Sequence, residues 1–397
     1  MLDMSNATGG AAAIVAELAA AGTSVLYGVP GGGPNLDVVG AAAAAGVRFV
    51  LTHSESAAVI MAATHADLTG VPGAAVVTRG PGLASAVNGV AHAALDRLPV
   101  VVIADTVRAA EAGRISHQRL DQVALGRSVA KDVVTVGGKH AGESAARAAR
   151  LAVTPPAGPV IVLIDDSDRA RSAGAGDDGT SQAADPVTAP GPAAGEALAA
   201  LASALRAARR PVLLLGAAAI PHTAAIRKAL VGSGVPALHT YRARGIVPDP
   251  AAEAAGLVTG GTAEWPLLSA ADLIIGLGVD EAEMIPASWE YAARTLLVTE
   301  HPLPAGEPGY FTGATLLRAP LPAAIEVLAA GAGGSGWPPG IGRSARVDAT
   351  RRLAGVAGAA PGTLAPQQVA ALARARVPAQ TVATVDAGAH MLVVMPM

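Results

Sequence analysis

The chain has 397 residues, enough for two or three domains that each bury a core. Hydrophobic residues make up 51% and charged ones 15%, with aromatics at only 2%, so Val, Leu, Ile and Ala must build the cores. A formal charge of −3 without a block of like charges leaves no footprint for nucleic acid or an anionic membrane, and the absence of cysteine excludes disulfides and thiolate chemistry.

The opening "MLDMSNATGGAAAIVAELAAAG" has no basic region ahead of its apolar part and reads as a first helix, not a signal peptide. Alanine contributes little to membrane insertion, and Glu17, several glycines and Pro30 interrupt the longest weakly apolar window, so a cytoplasmic protein is expected. From residue 24, "SVLYGV", "VRFVL", "GAAVV" and "PVVVIAD" alternate with helical stretches, and "GPVIVLIDD" ends this block near residue 166. Strands apolar on both faces and separated by helices predict a doubly wound parallel sheet with right-handed crossovers.

A Gly-, Ala-, Ser-, Pro- and Asp-rich stretch over 169–195 reads as a linker. The strands "PVLLLGAAA", "VPALHTY", "ADLIIGLG" and "RTLLVTE" then mark a second α/β domain over 196–330, and "GAGGSGWPPGIG" (331–342) reads as another linker. The last segment, 343–397, starts like a third α/β domain. "TLAPQQVAALARARV" predicts a helix with Thr363 as N-cap and Pro366 in its first turn, and "QTVATVDAG" predicts a strand. One helix and one strand bury no core of their own, so this tail is expected to pack on a neighbour or to lack the rest of its domain.

Three places carry candidate chemistry, at the strand ends where a parallel sheet opens its ligand crevice. In "YGVPGGGPN" the glycines from Gly31 to Gly33 let backbone approach a ligand closely, yet the pattern matches neither a dinucleotide fingerprint nor a P-loop; a plain tight turn explains it as well. In "TRGPGLASAVNG", Gly80, Gly82 and Ser85 follow a strand and open a helix, and Asp105 ends the next strand where a ribose-binding acid would lie, an imperfect nucleotide-like arrangement. The third is Glu55 in "THSESAAVIMAA". A carboxylate in such apolar company pays a desolvation cost that suits it to holding or passing a proton; the bland alternative is a first-turn acid favoured by the helix dipole. His53, His65, His92, His117 and His140 show no metal-ligand spacing, so no metal site is expected from them.

The segments "VLYGVPGGGPNLDVV", "THSESAAVIMAATHADLTGVPGAAVVTRGPGLASAVNGVAHAALDRLPVVVI", "HQRLDQVALGRSVAKD" and "GPVIVLIDD" together resemble the N-terminal, pyrimidine-binding domain of thiamine-diphosphate enzymes of the acetolactate synthase and benzoylformate decarboxylase group. "RRPVLLLGAAA", "VPALHTYRARGIVPD" and "LLSAADLIIGLGVDE" are similar to that group's central domain, and "VATVDAGAHM" resembles the opening of its pyrophosphate-binding domain. The resemblance implies a pyrimidine-binding domain over 1–168, a central domain over 196–330 and the truncated start of a pyrophosphate-binding domain over 343–397.

It also implies roles. Glu55 would bond to N1′ of the cofactor's aminopyrimidine, favouring the imino form whose exocyclic nitrogen takes the C2 proton of the thiazolium; Ser54 stands where the family usually has histidine. Pro30 and Gly31 would face the cofactor's reactive end, Pro81 and Asn88 would flank the pyrimidine pocket, and Gln118 would reach toward the substrate, with His117 in place of the usual phenylalanine. Flavin-binding members carry an arginine shortly before "GPV"; Pro156 stands near that place, so FAD is not expected. The family's "GDG" with following asparagines, which holds diphosphate and Mg²⁺, has no counterpart after His390, and "GDDG" at 176–179 lies in a linker without a strand ahead of it.

The implied activity is therefore carboligation or decarboxylation of a 2-oxo acid with thiamine diphosphate, in a homo- or hetero-oligomer that includes a polypeptide carrying the pyrophosphate-binding domain and the metal ligands. A non-catalytic structural or regulatory relative, and a nucleotide- or flavin-binding protein, are the alternatives.

Overall fold

A computed structural model describes residues 9–107, 118–165, 194–261, 263–285, 287–301, 309–331, 335–355, 362–378, 380–385 and 391–395. His117, the "GDDG" stretch and His390 lie outside the described residues. The chain divides into two compact units, 1–185 and 186–397. Each contains a six-stranded parallel sheet, as the alternation of apolar runs and helices predicts.

The first unit contains, in chain order, α1 (Gly10–Ala20), β1 (Val25–Val29), α2 (Pro34–Ala44), β2 (Arg48–Leu51), α3 (Glu55–Thr69), β3 (Gly73–Val77), α4 (Pro81–Leu95), β4 (Val100–Asp105), α5 (Gln122–Arg127), β5 (Asp132–Gly137), α6 (Ala141–Val153) and β6 (Val160–Asp165). Its strands lie in the order β2-β1-β3-β4-β6-β5. Side chains alternate across it. Ala74, Val76, Val101 and Ile103 join the core under α1, α2 and α6, while Ala75, Val77, Val100 and Val102 face the core under α3 and α4. The β3 and β4 backbones are buried throughout, which is why their sequences read as unbroken apolar runs.

The second unit contains α7 (Ala194–Ala207), β7 (Pro211–Leu215), α8 (Thr223–Leu230), β8 (Ala237–His239), β9 (Ala254–Leu257), α9 (Trp265–Ser269), β10 (Leu273–Leu277), β11 (Arg294–Thr299), β12 (Thr315–Arg318), α10 (Leu321–Gly331), α11 (Ile341–Ala354), α12 (Pro366–Arg376) and α13 (Met391–Val394). Strand order is β12-β11-β10-β7-β8-β9. Leu201, Leu205, Ile226, Leu230, Ile325 and Leu328 cover one face of the sheet; Leu267, Leu268, Trp289 and Phe311 cover the other.

Three strands, β5, β9 and β12, went unread in the sequence. Both β9 and β12 lie at sheet edges, and β9 is "AAGL", with no β-branched residue. Part of the Gly- and Pro-rich stretch before α11 is anchored: the Trp337 indole donates to the Pro211 carbonyl at 2.8 Å, and a Cβ on Gly342 would lie 2.4 Å from the Glu253 carbonyl oxygen. Arg346 of α11 donates to the Asp249 carbonyl at 2.7 Å, fastening this helix beside β9.

Two expectations for the tail are corrected. Ala365, not Thr363, caps α12, and the Gln368 side chain reaches back to accept from the Ala365 amide at 2.8 Å. Residues 381–385 form no strand; Val382 is 88% exposed and no described strand lies beside them to share a hydrogen-bond ladder. No described helix is long and apolar enough to cross a membrane.

Candidate functional site

In the first unit the chain runs from β1 to β2 on one side and then returns to β3 on the other, so the topological switch point lies between the carboxyl ends of β1 and β3. Ligand crevices of open α/β sheets form at such points. Three turns meet there: Pro30–Gly33 after β1, the start of α3 after β2, and Thr78–Gly80 after β3. The first and third touch closely, since a Cβ on Gly31 would fall 2.3 Å from Thr78 Oγ1. Gly80 has φ +60°, and a Cβ there would fall 2.1 Å from the Gln118 carbonyl oxygen. Glycine is required at both places.

Glu55 is the first residue of α3. Ser54, extended at φ −153°, caps the helix by accepting from the Ala57 amide at 3.2 Å, and Gly70 ends it in the left-handed conformation. Glu55 is only partly buried, and its carboxylate meets Ser85 at the solvent-exposed start of the helix rather than among apolar groups. Its Oε2 accepts from the Ser85 hydroxyl of α4 at 2.9 Å. Oε1 accepts no hydrogen bond among the described residues and faces Gly82, whose added Cβ would stand 3.6 Å away.

Asp105, at the end of β4, is 1% exposed and serves the turns themselves. Its Oδ1 accepts from Asn35 Nδ2 at 2.8 Å and from the Arg79 amide at 2.9 Å, and its Oδ2 pairs with Arg79 Nε at 3.0 Å. Asn35 passes the link on by accepting from the Gly31 amide at 3.0 Å. Gln122 of α5 accepts from the Gly80 amide at 2.8 Å and donates to the Asp105 carbonyl at 3.0 Å. One buried carboxylate thus ties together the turns after β1 and β3. Both oxygens are engaged inside the fold and almost none of the residue reaches the surface, which argues against the ribose-binding role considered for it and weakens the main sequence support for a nucleotide site here.

The structure places the other sequence candidates unevenly. Pro30 and Gly31 lie in the β1 turn, and Pro81 is the first residue of α4. Gln118 comes to the same end of the sheet, against Gly80, with an uncommon φ of +58°. Asn88 is apart: it is exposed on α4, seven residues beyond Pro81 and so about 10 Å along the helix, and makes no hydrogen bond among the described residues. Ser85, Asn35, Arg79 and Gln122 escaped the sequence reading as contributors of polar contacts. In sequence Ser85 reads only as a substitute for glycine, and Asn35, Arg79 and Gln122 lie within the glycine turns and the "HQRLDQ" stretch without a spacing that marks a polar role. No group of three or more His, Asp or Glu side chains is gathered as a metal site among the described residues.

Comparison with known proteins matches residues 8–125 to the thiamine pyrophosphate enzyme N-terminal TPP binding domain and residues 198–302 to the central domain of the same enzymes. The catabolic acetolactate synthase of Raoultella terrigena is 31% identical over 333 residues, covering 81% of this chain and 57% of its own length. The acetolactate synthase of Bacillus subtilis (strain 168) is 30% identical, covering 70% of this chain and 49% of its own length. The chain therefore spans about half the length of the curated relatives it matches. Among solved structures, the thiamine diphosphate-dependent 4-hydroxybenzoylformate decarboxylase of Rhodococcus jostii RHA1 shares the fold with a TM-score of 0.69 at 20% identity, covering 94% of this chain and 70% of that one. With two successive domain models of one family and two relatives aligned across most of its residues, the chain belongs to the thiamine pyrophosphate enzyme family.

Proposed function

We propose that the first unit holds the aminopyrimidine half of thiamine diphosphate, and that the protein breaks or forms a carbon–carbon bond next to the carbonyl of a 2-oxo acid. The observation that carries this reading is the Glu55 carboxylate at the switch-point crevice, anchored through one oxygen and open at the other beside a glycine. Gly31, Gly80 and Gly82 let the surrounding turns close on Thr78 and Gln118, and Gly82 leaves Oε1 without a side chain of its own beside it, which would suit a flat heterocycle. When bound, the cofactor supplies a carbon nucleophile that adds to a carbonyl and accepts the electron pair of a cleaved bond.

The part left to this chain is proton handling and orientation. Glu55 would hold or release a proton at Oε1 toward the cofactor's ring nitrogen, and Pro30, Gly31 and Pro81 would help to hold the aminopyrimidine half. Gln118 contributes an amide toward the substrate. The described residues do not fit the diphosphate half, since they gather no acidic metal cluster. We propose that a pyrophosphate-binding domain, on this polypeptide or on a second one, supplies it together with the Mg²⁺ ligands, and that the part of 343–397 beyond α11, which is itself fastened beside β9, belongs to that domain.

Calorimetry with thiamine diphosphate and Mg²⁺, followed by assay of Glu55→Gln on a panel of 2-oxo acids, tests the proposal. The variant is expected to bind the cofactor with wild-type affinity to within about threefold and to lose about 10²-fold or more of its turnover. Unchanged turnover would remove Glu55 from the chemistry.

A further inference from the structure

We propose that Ser85 is the positioning residue for the Glu55 carboxylate: its hydroxyl, offered from a second helix, holds Oε2 and leaves Oε1 as the atom presented to the ring nitrogen. The inference rests on the role given to Glu55 above. Geometry at the facing ends of α3 and α4 supports it. Ser85 Oγ donates to Glu55 Oε2 at 2.9 Å, while Ser56, the next residue of α3, donates its own hydroxyl to the Ser85 carbonyl at 2.5 Å. The two helices are thus cross-linked in both directions at adjacent residues.

Such reach needs close packing, which Gly89 allows: a Cβ there would fall 2.7 Å from Val59 Cβ and 2.8 Å from the Ser56 carbonyl oxygen. Gly82, one turn before Ser85, leaves the approach to Oε1 free of a side chain; a Cβ there would also collide with Thr78 Cγ2 at 2.5 Å. The chemistry explains why a donor is needed. A glutamate side chain at an exposed helix start has three free torsions, and ordering it costs rotamer freedom. A hydroxyl has one proton to give, so once it is spent on Oε2 the two carboxylate oxygens are no longer equivalent. One is anchored and the other is available, which pre-orients the proton-carrying atom.

The test compares Ser85→Ala and Ser85→Thr with wild type and Glu55→Gln. In the holoenzyme loaded with thiamine diphosphate and Mg²⁺, hydrogen–deuterium exchange at the cofactor C2 position is followed by NMR. Ser85→Ala is expected to slow exchange by roughly 10- to 100-fold, the scale of one lost hydrogen bond to a charged group, with cofactor affinity nearly unchanged; Ser85→Thr, which keeps the hydroxyl, restores it. In the ligand-free protein the ¹³C carboxyl resonance of Glu55, assigned by its loss in Glu55→Gln, shifts in Ser85→Ala and returns in Ser85→Thr. Wild-type exchange in Ser85→Ala, or an unmoved resonance, overturns the role of Ser85 while leaving that of Glu55. Wild-type exchange in Glu55→Gln, or a wild-type protein no faster than free cofactor, overturns both.

Discussion

At the scale of single residues, Asp105 shows how little an acid's place in a sequence says about its use. Its position at the end of an apolar strand suggested a ligand contact, but its carboxylate is buried and bonded to Asn35 and Arg79. Removing it would leave Asn35 Nδ2, the Arg79 amide and a guanidinium without their partner. Asp105→Ala is therefore expected to cost roughly 2–4 kcal/mol, the lower part of the range for a broken buried pair because Arg79 is partly exposed. Denaturant titration of the first unit's unfolding transition checks this, and a loss below about 0.5 kcal/mol contradicts it. Cofactor affinity should fall as well, since the carboxylate holds Gly31 through Asn35 and holds the Arg79 amide next to Gly80. Glu55 differs in kind. Its chain position already indicated a helix start, and the structure adds the bond from Ser85, which no spacing rule announces because the two residues lie thirty apart on different helices.

At the scale of elements, the site depends on how closely α3 and α4 pack. Small residues make this possible: Ala58, Ala62 and Ala63 are buried on α3, and Gly82, Ala86 and Gly89 on α4. Gly89→Val would drive a branched side chain into Val59 and the Ser56 carbonyl. It is expected to destabilise the unit by about 1–3 kcal/mol and to separate Ser85 from Glu55. A variant with a wild-type unfolding midpoint and wild-type C2 exchange would show that the crossing tolerates more distance than argued. Element scale is also where the sequence reading was weakest. "AAGL" carries no strand signal yet forms β9 because β8 lies alongside, while "QTVATVDAG" carries a strong one and, over 381–385, forms nothing because no described neighbour pairs with it. A helix satisfies its hydrogen bonds within itself, whereas a strand exists only as one of a pair.

At the scale of the whole molecule, two sheets of similar build carry different switch points. In the second unit it lies between β7 and β10, and there the backbone meets itself: a Cβ on Gly216 would fall 2.3 Å from the Gly278 carbonyl oxygen. Glu283 fills what remains, accepting from the Ala217 amide at 2.8 Å, the Asp280 amide at 3.0 Å and the Thr240 hydroxyl at 2.5 Å. Burial pushes its carboxyl above the ordinary glutamate range, against the pull of these same hydrogen bonds. Nearby His239 is pushed below the usual histidine range, again by burial. A glutamate that holds its proton more tightly when folded contributes stability that is present below the ordinary glutamate range and is lost as pH rises through the raised value. Glu283→Gln, which no longer titrates, should therefore gain on wild type in denaturant midpoint as pH is raised from about 4 toward neutrality. A difference between the two proteins that stays constant over that range contradicts the assignment.

The sequence by itself determined the class of this protein. Runs apolar on both faces, separated by helical stretches, specify a buried parallel sheet because each run supplies a neighbour for the next, and the glycine turns and Glu55 stand where strands give way to helices. Tertiary structure alone decided which carboxylate is spent on architecture and which is left open. Asp105 and Glu283 are closed in by partners remote in sequence, while Glu55 keeps one oxygen without a hydrogen bond among the described residues. The physical reason is that a hydrogen bond's partner is set by proximity in space, and strand order and helix crossing bring residues together in ways that no local pattern records.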